Sequence, residues 1–169
     1  MSSARPSELS LRPAVPADAD AICTIYNQGI EDRIATLETR LRTPQEQREW
    51  LLSRSARHPV IVAECNDRII GWGSLNSFNA RQAYDYVADF SVYVERSRRG
   101  QGVGRQLLDR LTLLARELGY HKLVLAMFPT NATGLALYQR CGFREVGTYR
   151  EQGMLNGKWV DVFIMEKIL

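Results

Sequence analysis

A chain of 169 residues, 45% hydrophobic and 24% charged with a net charge of +3, has the size and balance of one soluble globular domain. The mild positive excess contains no Lys/Arg block of polybasic length, which argues against a nucleic-acid partner, and no stretch is apolar for long enough to span a membrane. Cys23, Cys65 and Cys141 lie in apolar stretches at no metal-site spacing; this predicts buried free thiols, no metal and a reducing, cytoplasmic setting. The polar N-terminus carries no signal-peptide pattern, and residues 1–9 are expected to be a loose leader to a single domain over 10–169.

In chain order, Ser10–Pro13 reads as a short strand. Asp18 is expected to cap a helix that carries Ile22, Ile25 and Tyr26 on one face. A loop follows around 35–41. Thr43-Pro44-Gln45-Glu46 is then a capping box with proline at the first helical position, ahead of Trp50, Leu51 and Leu52. Val60–Cys65 and Ile69–Asn76 read as a hairpin turning at Asp67. Arg81–Asp85 is a polar, aromatic loop before a long strand over Tyr86–Val94.

Arg98-Arg99-Gly100-Gln101-Gly102-Val103-Gly104-Arg105 joins that strand to a helix predicted over Gly104–Leu118, striped with Leu107, Leu108, Leu111, Leu114, Ala115 and Leu118. Gly119 stops the helix as a left-handed cap. Lys122–Phe128 reads as a buried strand, and Asn131 or Thr133 opens a helix ending at Cys141-Gly142-Phe143. Glu145–Leu155 and Lys158–Lys167 form a hairpin around Asn156-Gly157. The order is a strand, two helices, three strands, a helix, a strand, a helix and two strands. It predicts an α+β domain on a mixed sheet, with a parallel pairing inside 86–128.

The glycine turn is the most informative junction. Bare amides at a helix N-terminus, with the positive end of the dipole behind them, form an anion site. Arg98, Arg99 and Arg105 add charge suited to a diphosphate. A plain glycine turn before a solvated helix is the competing reading.

Arg99-Gly100-Gln101-Gly102-Val103-Gly104 matches the acetyl-CoA motif Gln/Arg-x-x-Gly-x-Gly/Ala. Asn131, Tyr138, Gly142 and Phe143 match a later Asn, helix, Tyr-x-x-x-Gly-Phe signature. The chain thereby resembles the GCN5-related N-acetyltransferases (GNAT). Asn79-Ala80-Arg81-Gln82-Ala83-Tyr84-Asp85, Val92-Tyr93-Val94, Gly147–Glu151 and Gly157–Val162 resemble the phosphinothricin, methionine sulfoximine and arsinothricin branch. Two positions depart from that branch: Asp89 stands where it has glutamate, and Tyr138 where it commonly has histidine.

The resemblance implies a mostly antiparallel seven-stranded sheet flanked by about four helices and splayed between its fourth and fifth strands. It implies an acetyl-CoA-dependent N-acetyltransferase acting on a small glutamate-like amino acid by direct transfer, and a homodimer, to which the apolar aromatic stretch 143–165 adds weight. Rival readings are acetylation of another amine, such as a polyamine or a protein N-terminus, and a non-catalytic acyl-CoA-binding module. By resemblance the amides of 100–105 take the diphosphate, the backbone of Val92, Tyr93 and Val94 pairs with pantetheine, Asn131 contacts the cofactor, and the Val92 amide donates to the oxyanion.

An α-amine with a pKa near 8 needs a base at neutral pH. Asp89 stands in an apolar run where desolvation raises a carboxylate toward that role; the alternative is a carboxylate satisfied by Arg81 or a backbone amide. Tyr138 is either a proton donor to the leaving sulfur or a core tyrosine. Arg81 is an acceptor clamp or a solvated loop arginine, with Tyr84 and Tyr86 shaping the pocket. Trp72 and Phe78 read as core, and His58 and His121 as surface residues.

Overall fold

Seven strands pair into one sheet in the order β1-β2-β3-β4-β5-β7-β6, in a computed structural model that describes residues 9–33 and 35–169. The strands are β1 (Ser10–Pro13), β2 (Val60–Cys65), β3 (Arg68–Ser77), β4 (Val87–Val94), β5 (Lys122–Met127), β6 (Arg144–Leu155) and β7 (Lys158–Ile168). The α-helices among the described residues are α1 (Ala19–Asp32), α2 (Pro44–Leu52), α3 (Val103–Glu117) and α4 (Ala132–Arg140). The expected element order and the α+β class hold. The expected leader lies outside the described residues except for Leu9, which packs against the main core.

Most ends follow from local chemistry. Thr43 Oγ1 accepts from the Glu46 amide at 3.2 Å and Glu46 accepts from the Thr43 amide at 2.8 Å, the reciprocal box that starts α2. Asp18 departs from its expected role. It already sits in a helical turn, and its carboxylate takes the Arg12 guanidinium (2.8 and 3.0 Å) and the Val15 amide (2.8 Å), so it secures the preceding turn and does not cap α1.

The helices divide between the two faces. Leu107, Leu108, Leu111 and Ala115 of α3 pack with Ala88, Phe90, Leu123, Leu125 and Met165; each fully buried leucine contributes about 2–3 kcal/mol. On the other face, Ile22 and Ile25 of α1 meet Val60, Val62 and Trp72. All three cysteines are buried and free.

The sheet comes apart at its one parallel pair. β4 pairs with β5 only through Val87–Lys122, Ala88–Leu123 and Asp89–Val124. Beyond Asp89, β4 continues along β3 as far as Val94–Gly71, while β5 continues along β7 as far as Met127–Phe163. The expected splay is therefore present, and Asp89 stands at its fork.

Candidate active site

Strand alternation decides what the fork presents. Ala88, Phe90, Val92 and Val94 turn toward the α3 core, leaving Asp89, Ser91 and Tyr93 for the α1 and α2 face. Asp89 is half-buried, and the neighbour bonded to it is its cross-strand partner Asn76, whose Nδ2 donates at a long 3.5 Å. That nitrogen also donates to Ser91 Oγ at 3.1 Å, while Asn76 Oδ1 accepts from Ser74 Oγ and Arg54, each at 3.0 Å. Neither Arg81 nor a backbone amide satisfies the carboxylate among the described residues. Loss of water outweighs the weak amide bond, and the pKa of Asp89 is pushed up to about 6.

The loop between β4 and α3 turns through Gly100 (φ +76°) and Gly102 (φ +84°), conformations that favour glycine, and open space lies where their side chains would be. Gly102 starts α3, whose first-turn amides have no partner within the helix. Bare donors facing open space fit an anionic phosphate group. The flanking arginines are placed differently from expectation. Arg99 gives Nη1 to Asp32 at 2.6 Å and Nε to the Val94 carbonyl at 3.2 Å, so it braces the loop from beneath. Arg105 lies exposed near Asp109, 3.6 Å away. Gln101 donates to the Ser97 carbonyl at 3.2 Å. Val92–Val94 have β3 on one side and no strand on the β5 side, so that edge is open, with the Val94 carbonyl already taken by Arg99.

α4 lies across the α3 face of the fork. Asn131 caps it, its Oδ1 accepting from the Gly134 amide at 2.9 Å. Tyr138 packs edge-on against Phe90 and Phe143, both at 5.9 Å. Burial first, and then the nearby Asp89 carboxylate, push its phenol up to about 12. It is a protonated donor at neutral pH.

On the opposite face, a cavity of about 200 Å³ opens beside Asn76 and Ser91, walled by Tyr26, Trp50, Trp72 and Tyr93 with Arg42, Glu46 and Gln47 at its polar side. Reasoning from sequence missed this cavity. Tyr26 read as one residue of a helix face and Trp50 as part of the second helix, and Asn76 acquires meaning only from its register opposite Asp89. The residues expected to shape the acceptor pocket lie elsewhere: Arg81 is exposed on the turn after β3, Tyr84 packs on Phe78 at 5.5 Å, and Tyr86 is 64% exposed. Phe78, expected in the core, is 45% exposed because it leaves the sheet just after β3, whereas Trp72 is buried as expected. His121 is exposed as expected; His58 is half-buried beneath Arg54, whose Nε donates to its carbonyl at 2.9 Å.

The sheet thus splits at a half-buried carboxylate, with the helix-start amides of α3 on one side and a small cavity on the other. The chain belongs to the acetyltransferase (GNAT) family, whose model matches residues 22–143, and it is an N-acetyltransferase. It is 30% identical to an L-methionine sulfoximine/L-methionine sulfone acetyltransferase of Salmonella typhimurium, over 94% of this chain and 93% of that one. It superposes on a ribosomal-protein-alanine N-acetyltransferase from Brucella melitensis with a TM-score of 0.91 at 35% identity, covering 95% and 99% of the two chains. It also matches a phosphinothricin acetyltransferase from Sinorhizobium meliloti in complex with acetyl-CoA, with a TM-score of 0.89 at 27% identity, covering 95% and 88%.

Proposed function

We propose that this enzyme transfers the acetyl group of acetyl-CoA directly to the α-amine of a small glutamate-like amino acid, of the phosphinothricin, methionine sulfoximine or arsinothricin type, in a ternary complex. One observation carries this reading. Asp89, with its pKa pushed up to about 6, stands at the fork, and a cavity of about 200 Å³ opens beside its neighbours Asn76 and Ser91.

Acetyl-CoA, when bound, supplies the activated acyl group and a thiolate leaving group. Donation from the amides of Gly100 to Arg105 holds its diphosphate, the open edge of Val92–Val94 carries its pantetheine arm, and Asn131 contacts it from the start of α4. Asp89 removes a proton from the acceptor's ammonium group, directly or through one water. The Val92 N–H donates to the developing oxyanion, a contribution of about 3 kcal/mol in related chemistry. The Tyr138 hydroxyl donates to the departing sulfur. Arg81 meets the acceptor's carboxylate from outside the cavity, with Tyr84 and Tyr86 beside it. The thiols support a direct route, since all three are buried and none is bonded to a histidine among the described residues.

Three buried free thiols also favour the reducing cytoplasm, and the exposed Val146, Tyr149, Met154 and Trp159 on β6 and β7 favour a homodimer through that face. Among the described residues, no helix is long and apolar enough to cross a membrane. Likeness to the Brucella melitensis structure favours a second reading, acetylation of a protein N-terminus.

Thiol release measured over a panel of amino acids, polyamines and short peptides tests these readings. Turnover with glutamate-like amino acids is expected. Activity confined to peptides would establish the second reading, and tight acetyl-CoA binding with no release would leave a binding module.

A further inference from the structure

Arg54, just beyond α2, is half-buried, and its guanidinium bonds only neutral oxygens. Nε donates to the His58 carbonyl at 2.9 Å, Nη2 donates to the Leu75 carbonyl and to Asn76 Oδ1 at 3.0 Å, and the group lies over the Trp50 ring at 4.7 Å. No carboxylate pairs with it among the described residues. A cation held in this way gives up water without gaining a counter-ion, and the loss of water lowers its pKa.

The guanidinium has hydrogen-bond donors and no acceptor. The atom of the Asn76 carboxamide that meets it must therefore be the oxygen. The NH2 group is then turned the other way, toward Ser91 Oγ at 3.1 Å and Asp89 Oδ1 at 3.5 Å. Ser74 Oγ also lies 3.0 Å from Asn76 Oδ1, but a hydroxyl can donate or accept and does not decide the orientation. Asn76 is paired with Asp89 between β3 and β4, so the carboxylate faces either an N–H or a lone pair. An N–H favours its ionised form, and a lone pair favours its protonated form.

From this geometry we infer that Arg54 is a positioning residue: it locks the Asn76 amide with Nδ2 toward Asp89 and so keeps that carboxylate ionised, ready to accept a proton at neutral pH. This rests on the reading of Asp89 as the base and deepens it. Without Arg54 the amide is free to turn over, Asn76 Oδ1 accepts from a protonated Asp89, and the base holds its proton to higher pH. The other titratable groups close to Asp89 are the phenols of Tyr138 on α4 and Tyr93 on β4, both raised by burial and neutral throughout this range. Its partner on β5, Val124, is apolar. Around Arg54 stand Tyr120, Arg57 and His58, the last held below its usual range by burial and then by the two arginines.

The test is Arg54→Met, alone and combined with Asn76→Ala, with kcat followed against pH using L-methionine sulfone as the acceptor. In Arg54→Met the rising limb should move up by about one pH unit, a loss of about fivefold at pH 6 and less than about twofold at pH 9. A residue that only supports the fold would lower the rate alike at every pH. Asn76→Ala should move the limb in the same direction, and adding Arg54→Met to it should change little, because the arginine acts through the amide. A limb that stays in place, or an equal further move in the double variant, overturns the inference. Two resonance measurements need no turnover. The carboxyl carbon of Asp89, identified by its loss in Asp89→Asn, should titrate about one pH unit higher in Arg54→Met. In the wild type, the side-chain amide protons of Asn76 should shift with the same midpoint as that carboxyl; amide protons that ignore the titration overturn the inference whether or not the variants fold. If Asp89→Asn keeps the rising limb, the base reading falls alone, and the carboxyl titration still decides what Arg54 does.

Discussion

The Asp32 carboxylate lies 2.6 Å from Nη1 of Arg99, so the last turn of α1 grips the loop that begins α3. Arg96 adds a second guanidinium at 2.7 Å, and its amide donates to Gln28 at 2.8 Å. The helix that supplies Tyr26 to the cavity thus also braces the Gly100–Gly104 turn. Asp32→Asn should weaken acetyl-CoA binding about three- to tenfold while kcat at saturation stays within twofold, because solvent-screened ion pairs position the loop without touching the reacting atoms. Asp32→Glu should restore part of the affinity. Hydrogen bonding to Arg96, then to Arg99, holds the Asp32 carboxyl below its ordinary 3.8. Its contribution is therefore complete above that value and lost as pH falls through the lowered one. Calorimetric titration with coenzyme A checks the affinities, and an equal loss of kcat would refute a positioning role.

Asp89 has the opposite sign. Its folded pKa, about 6, exceeds the ordinary 3.8, so the ionised carboxylate destabilises the fold at neutral pH and the penalty fades as pH falls through 6. Asp89→Asn should therefore raise stability at pH 7 by about 2 kcal/mol while lowering kcat at least 100-fold. The wild-type rate should rise with pH through about 6, following ionisation of the base, and the variant should lose that limb. Thermal unfolding at pH 5 and pH 7, with a pH–rate profile, measures both effects. A variant that keeps the limb would remove Asp89 as the base.

Most of this arrangement was legible in the chain. The glycine turn, the leucine stripe of α3, the Thr43 box and the Asn156-Gly157 hairpin are local signals, each decided by backbone freedom or side-chain spacing, and each appears within a residue or two of its expected place. What escaped depends on register and long-range pairing. Nothing near Asp32 announces that it will meet Arg99, separated by 67 positions. Asp18 looked like a cap because its partner Arg12 lies across a turn. The cavity beside Asn76 and Ser91 stayed hidden for a similar reason. Aromatic residues spaced for burial look alike whether they fill a core or wall a space.

Tyr138 separates chemistry from packing. Its ring sits against Phe90 and Phe143, so Tyr138→Phe should leave unfolding free energy within about 1 kcal/mol. If its hydroxyl serves the leaving thiolate, kcat should drop about 100-fold. With the phenol pushed up to about 12, no falling limb from Tyr138 should enter the wild-type pH–rate profile below about pH 10. Substitution of a poorer thiol leaving group should widen the gap between wild type and variant, which a merely structural phenol would not do.

Asn131 carries an observed role and a proposed one, and two substitutions separate them. Its Oδ1 caps α4 by accepting from the Gly134 amide at 2.9 Å. Asn131→Ser keeps an oxygen able to cap and discards the side-chain amide, whereas Asn131→Ala discards both. The alanine variant should lose about 1 kcal/mol of stability and the serine variant little. If the amide also grips the cofactor, both variants should bind acetyl-CoA more weakly, by about three- to tenfold for one polar contact. Affinity that falls only in the alanine variant would assign the loss to a frayed α4 and confine Asn131 to capping.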